Sequence, residues 1–113
     1  MARSRRRLEL LRGTLDLLIL QTLAGGTQHG YAIAAAIQRE TDKALQVEEG
    51  SLYPALHRME RRGWIEAEWG KTDTNRRARF YQLTDAGREQ LEAELQRWRQ
   101  FSGAVEKIIE PAS

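Results

Sequence analysis

The chain has 113 residues, 41% of them hydrophobic, enough for one modest core and no call for a second. It contains no cysteine, so disulfides and thiolate metal sites are excluded, and its two histidines, His29 and His57, stand far apart in sequence. The formal charge of +2 is unevenly spread: residues 1–83 carry 14 Lys and Arg against 10 Asp and Glu, whereas residues 84–113 carry 4 against 6. A basic front half suits a polyanionic partner, although a solvated cationic surface has the same composition.

Arg3, Arg5, Arg6 and Arg7 open the chain and precede a leucine-rich stretch. Glu9, Arg12 and Asp16 interrupt that stretch, which argues against a secretory leader and for a basic arm able to reach a phosphate backbone. The longest apolar block, residues 15–20, contains Asp16 and falls well short of the roughly 20 residues that cross a bilayer. A cytoplasmic protein without a membrane span is expected.

Residues 8–24 read as a first helix with Leu8, Leu11, Leu15, Leu17, Leu18, Ile19, Leu20 and Leu23 on almost every face. A helix apolar all round must be covered all round, and one small core covers only one side, so a second subunit is expected on the other. Gly25-Gly26 ends this helix, and Tyr31, Ile33, Ala34 and Ile37 give an amphipathic second helix closing near Thr41. His29, beside Gly30, reads as a hydrogen-bonded turn residue. Leu45 and Val47 fit a very short strand.

The third helix is expected over residues 51–62, with Ser51 as N-cap or first-turn residue, Pro54 confined to the first turn and Gly63 as the stop. Leu52, Ala55, Leu56 and Met59 form its inward stripe, which turns Pro54, His57, Arg58 and Arg61 outward, with Ser51 and Tyr53 at the edges. Residues 64–69 alternate with period two, Ile65, Ala67 and Trp69 sharing the half-buried face, and residues 79–83 have strand composition. Between them lies a basic, turn-rich tip. Thr84-Asp85 caps a last helix reaching about Ile109, whose Leu91, Leu95, Trp98, Ser102, Val105 and Ile109 keep alternating four and three spacings. Such a seam suits pairing with another chain, and Ser102-Gly103 allows a bend.

Helix, helix, short strand, helix and hairpin in this order form the plan of a winged helix-turn-helix. In that plan the third helix enters the major groove and the wing sets cations against flanking phosphates. Arg58, Arg61 and His57 can donate to guanine O6 and N7 or to phosphate, and the Ser51 and Tyr53 hydroxyls suit phosphate oxygens. Lys71, Arg76, Arg77 and Arg79 are the wing candidates for phosphate contact. Each cation also has a bland reading as a solvated surface charge, and Tyr53 one as a packing residue. Enzyme motifs fail: Gly70-Lys71-Thr72 ends like a phosphate-binding loop, but Ile65 stands where its first glycine is required. No metal or cofactor site is expected. A winged-helix module that binds only another protein is the alternative, disfavoured by the basic helix face and wing.

Several linked segments resemble the PadR-type transcriptional regulators of bacteria. They are Gly13-Thr14-Leu15-Asp16-Leu17-Leu18-Ile19-Leu20, His29-Gly30-Tyr31, Glu49-Gly50-Ser51-Leu52-Tyr53-Pro54-Ala55-Leu56-His57-Arg58-Met59-Glu60, Arg62-Gly63-Trp64-Ile65 and Tyr81-Gln82-Leu83-Thr84-Asp85-Ala86-Gly87. The resemblance implies a homodimer built by the first and last helices, usually a repressor on a palindromic DNA operator, released in some members by a small molecule. It places Trp98 where a multidrug-binding member presents a tryptophan to planar ligands, although an aromatic at a seam position also packs without one. Where the family often has glycine before its wing arginines, this chain has Asn75, which tolerates the same left-handed turn. The expected fold is mainly α with a small β-hairpin. It divides into an arm and helix start over 1–12, a winged helix-turn-helix over 13–83, a long dimerisation helix over 84–110 and a tail over 111–113. The expected interface comprises Leu11, Leu15, Leu18, Leu91, Leu95, Trp98, Val105 and Ile109.

Overall fold

The computed structural model describes residues 13–110. The arm arginines Arg3, Arg5, Arg6 and Arg7, together with Leu11, lie outside the described residues. The element order is α1 (Thr14–Ala24), β1 (Gln28–His29), α2 (Gly30–Glu40), α3 (Glu49–Arg61), β2 (Ile65–Lys71), β3 (Arg77–Leu83) and α4 (Asp85–Ile109). The strands form one antiparallel sheet in the order β1-β3-β2, so the chain is mainly helical with a winged helix-turn-helix arrangement.

Three expectations are corrected. A helix continuous over residues 8–24 is ruled out because Gly13 adopts a left-handed backbone (φ 88°), and α1 starts at Thr14. The short strand falls at Gln28 and His29, which pair with Tyr81 and Phe80, while of the expected Leu45 and Val47 only Leu45 makes an isolated β-bridge. The stretch after α2 is taken up by a turn in which Asp42 and Lys43 have positive φ and the Thr41 hydroxyl accepts from the Leu45 N–H. Finally, α3 begins at Glu49, two residues before Ser51, so Pro54 lies inside the helix. Its missing N–H leaves the Gly50 carbonyl without an i+4 donor, an acceptor that water can reach because Gly50 is exposed.

The core is built from one side of each element. Ile19, Leu20 and Leu23 of α1, Ile33 and Ile37 of α2, and Leu52, Ala55, Leu56 and Met59 of α3 meet Ile65, Tyr81, Leu83 and Leu91. Complete burial of each large aliphatic side chain contributes about 1.5–3 kcal/mol. Only the first half of α4 joins this core, through Gly87 and Leu91. The helix runs unbroken through Ser102 and Gly103 for 25 residues, about 37 Å at the usual rise.

The junction between α3, the hairpin and α4 is tightly specified. Gly63 (φ 79°) closes α3 with its N–H on the Glu60 carbonyl, while the Trp64 N–H reaches the Met59 carbonyl, the paired bonds of a glycine-terminated helix end. Thr84 donates its hydroxyl to the Gly63 carbonyl and its N–H to the Trp64 carbonyl, and its Oγ1 accepts from the Gly87 N–H to cap α4. A Cβ at Gly87 would overlap the Trp64 carbonyl, whereas one at Gly103 would meet nothing within 4 Å. Gly87→Ala is therefore expected to cost about 2 kcal/mol or more, and Gly103→Ala to stabilise by about 0.5–1 kcal/mol, two shifts of opposite sign in thermal denaturation.

Candidate nucleic-acid interface

The inward stripe of α3 leaves Ser51, Pro54, His57 and Arg61 exposed on its outer face. The hairpin rises beside it, and its strands extend two residues further than their composition suggests, to Lys71 and from Arg77. The tip is a short turn: Thr72 exchanges backbone bonds with Arg76 and Asn75, its hydroxyl accepts from the Arg76 N–H, and Asn75 takes the left-handed conformation (φ 63°). Asparagine thus fills a position that glycine would fill without strain.

A groove of about 830 Å³ separates the helix from the wing. It is lined by Tyr53 and His57 of α3, by His29 and Tyr31 at the start of α2, and by Trp69, Arg76, Arg77 and Arg79 of the hairpin. His29 caps α2, its Nδ1 accepting from the Ala32 N–H at 3.2 Å, which leaves Nε2 to carry the ring proton of the neutral form. Its ring stacks on Tyr31 and meets Phe80 edge-on at 5.3 Å. Tyr53 is half-buried against Gly30, where a Cβ would stand 2.8 Å from its ring, so any larger residue there would have to displace that ring.

The cations expected to face a polyanion divide into committed and uncommitted groups. Arg58 is held by Asp16 of α1. Arg79 donates through Nη2 to Glu60 at 2.9 Å, while its buried Nε has no partner. Arg77 lies over the Trp69 ring at 4.7 Å, with Arg79 at 5.9 Å. The side chains of His57, Arg61, Lys71 and Arg76 make no hydrogen bond, ion pair or ring contact among the described residues. Trp69 was expected on the half-buried face of β2 but is 58% exposed. It keeps the correct face, yet the strand has run past the end of the core, so arginine side chains rather than apolar ones cover it.

The residues expected at an interface between subunits separate as well. Leu91 belongs to the chain's own core, Leu15, Leu18 and Leu95 pack on the edge of that core, and Trp98, Val105 and Ile109 are exposed along α4 together with Phe101 and Ile108. Where the start of α1 meets α4, Gly13, Thr14, Leu17, Glu94, Arg97, Trp98 and Phe101 line an open cavity of about 430 Å³. Sequence reasoning did not single out Asp16, Glu60, His29, Tyr31 or Trp69 as parts of the site. A carboxylate inside an apolar helix was a usable sign for Asp16, because it requires a partner. Among the described residues no group of His, Asp and Glu could hold a metal ion, and no helix is long and apolar enough to cross a membrane.

Tyr81 sits beneath the groove with 2% of its surface exposed. Burial pushes its phenol above the ordinary tyrosine value of 10.0, with Arg79 opposing and Glu60 and Tyr53 adding to the rise. The folded state therefore holds this proton more tightly than the unfolded chain. The associated stability is complete below pH 10.0 and is lost as the pH climbs from there through the folded value. Tyr81→Phe is expected to make the alkaline decline in melting temperature shallower while changing stability little at neutral pH.

Comparison with known proteins agrees with this geometry. The profile of the "Transcriptional regulator PadR-like family" matches residues 19–93. A transcriptional regulator of Mycobacterium tuberculosis is 35% identical over 83 residues, covering 74% of this chain and 74% of that protein. A 37.1 kDa protein in a transposon of Streptomyces fradiae is 40% identical over 90 residues, which are 80% of this chain but 24% of that protein. Among solved structures, a transcriptional regulator from Clostridium thermocellum superposes with a TM-score of 0.80 at 29% identity, over 88% of this chain and 96% of that one. A PadR-like transcriptional regulator from Bacillus cereus gives 0.77 at 29% identity, over 90% and 97%.

Proposed function

Because the chain belongs to the PadR-like family of transcriptional regulators, we propose that it is a cytoplasmic repressor that binds a palindromic DNA operator as a homodimer. The observation that carries this reading is the uncommitted pair His57 and Arg61 exposed on the outer face of α3, with His57 set across one groove from Arg76 and Arg77 of the wing. That arrangement suits a helix in the major groove, with His57 and Arg61 toward base edges and Ser51 and Tyr53 toward phosphate. Lys71, Arg76 and Arg77 neutralise flanking phosphates, while Arg79 is held by Glu60, and the arm arginines add contacts of the same kind. The protein needs no catalytic group for this role.

Homodimerisation is supported by the apolar residues that α4 leaves uncovered, Trp98, Phe101, Val105, Ile108 and Ile109. A two-fold pair of recognition helices reads a two-fold site, hence the palindrome. The cavity beside Trp98 suits a planar aromatic effector, with the apolar ring wall for stacking and Arg97, itself paired with Glu94, as a polar handle. Release of the operator then follows if the effector binds the DNA-free dimer more tightly.

The test is selection of bound fragments from the organism's genome by the purified protein, followed by titration against salt. Enrichment of a palindromic site and an affinity that falls steeply with salt are expected, and salt-independent or absent binding refutes the reading. Arg61→Ala should lose discrimination between operator and unrelated DNA, whereas Arg76→Ala should weaken both about equally and reduce the salt slope by about one. Val105→Asp with Ile109→Asp should convert a dimer to a monomer in sedimentation, and saturable quenching of Trp98 fluorescence should accompany binding of an aromatic effector.

A further inference from the structure

Arg58 occupies the outward side of the recognition helix by spacing, yet its guanidinium is turned back onto α1. Nη2 donates to Oδ1 of Asp16 across 42 residues of sequence, with side-chain exposures of 38% for Arg58 and 18% for Asp16. Asp16 is the only acidic residue of α1, a helix otherwise made of apolar residues with Thr and Gln. A carboxylate this far out of water is costly without a cation, and Arg58 is the cation it meets. The pair cancels charge where a DNA-binding helix would ordinarily accumulate it.

We infer that Asp16 is a positioning residue for DNA recognition: it withholds Arg58 from the phosphate backbone and fixes the roll of α3 on α1, leaving base reading to His57 and Arg61. This rests on the DNA-binding reading above and sharpens it. Each cation that reaches a phosphate strengthens binding to every sequence alike, through released counterions. Tying up Arg58 removes one such contact and favours discrimination between sequences over bulk affinity. A long arginine stem allows the exchange, because the same side chain, once released, extends toward solvent.

The experiment measures binding to a random-sequence duplex by fluorescence anisotropy over a range of salt, for the full chain and for Asp16→Asn, Arg58→Gln and the double variant, with folding followed by circular dichroism. In Asp16→Asn the freed Arg58 is expected to add one phosphate contact, steepening the log–log salt slope by about 0.9 and tightening random-DNA binding about three- to tenfold at low salt. The double variant should return both to wild-type values. Arg58→Gln alone should lower the melting temperature, by stranding Asp16, but leave the slope unchanged, and Asp16→Ala, which also frees Arg58, replaces Asp16→Asn with the same expected rise in slope if the latter does not fold. A merely structural ion pair would alter melting temperature in the single variants and leave every slope at the wild-type value, which overturns the inference. A reduced slope in Arg58→Gln also overturns it, since Arg58 would then already touch phosphate in the wild type. Absence of salt-dependent DNA binding in every form, the wild type included, refutes the DNA-binding reading and this inference together.

Discussion

Where α3 ends, the Gly63 and Trp64 carbonyls are both claimed by Thr84, and three residues later Gly87 lies flat against Trp64. The end of α3, the base of the hairpin and the start of α4 are thereby fastened at one place. Because a Cβ at Gly87 would strike backbone rather than a movable side chain, the fit has no slack. The direction in which α4 leaves the domain is consequently fixed relative to α3. In the dimer proposed above, that direction would set the distance between the two α3 helices, so a steric detail remote from the groove bears on the proposed DNA reading.

The charge pattern follows a division of labour visible only in three dimensions. Arg58 and Arg79 spend their charge on Asp16 and Glu60, Arg77 lies on an indole, and Arg61 and Arg76 are left uncommitted. Counting arginines on the front half of the chain therefore overstates the positive potential of the helix face. The committed cations still contribute: Arg79 ties β3 to α3, and its neighbour Trp69 gives the wing a planar surface over which two guanidiniums lie. In the proposed DNA complex this ordering would lower the entropy lost when Arg77 meets a phosphate.

Much of the architecture was legible in the sequence because long amphipathic segments and glycine stops are local signals. The inward stripe of α3, the Thr84 cap and the hairpin with Asn75 in a left-handed turn are all of this kind. What was illegible depends on distant partners. The two residues of β1 are a strand only because Tyr81 and Phe80 lie alongside, so propensity pointed to Leu45 and Val47 instead. Pro54 suggested a first turn, but Glu49 and Gly50 continue the helix backward, since an exposed carbonyl at Gly50 can turn to water. Trp69 read as a core residue because period two records the face of a strand and not where the core stops. In the groove, helical spacing put Arg58 outward but was blind to the carboxylate on another helix that draws it back.

The pairing of β1 with β3 also bears on how the domain is assembled in time. The β2–β3 hairpin is local, whereas joining Gln28 to Tyr81 closes a loop of more than fifty residues, for an edge only two residues long. Loop closure on that scale carries a conformational cost that two residues of ladder do not repay unaided. The return comes from His29, which is at once the last residue of β1 and the cap of α2. Docking the edge strand thus seats α2 against the sheet in the same step, so that one long-range contact completes two walls of the groove.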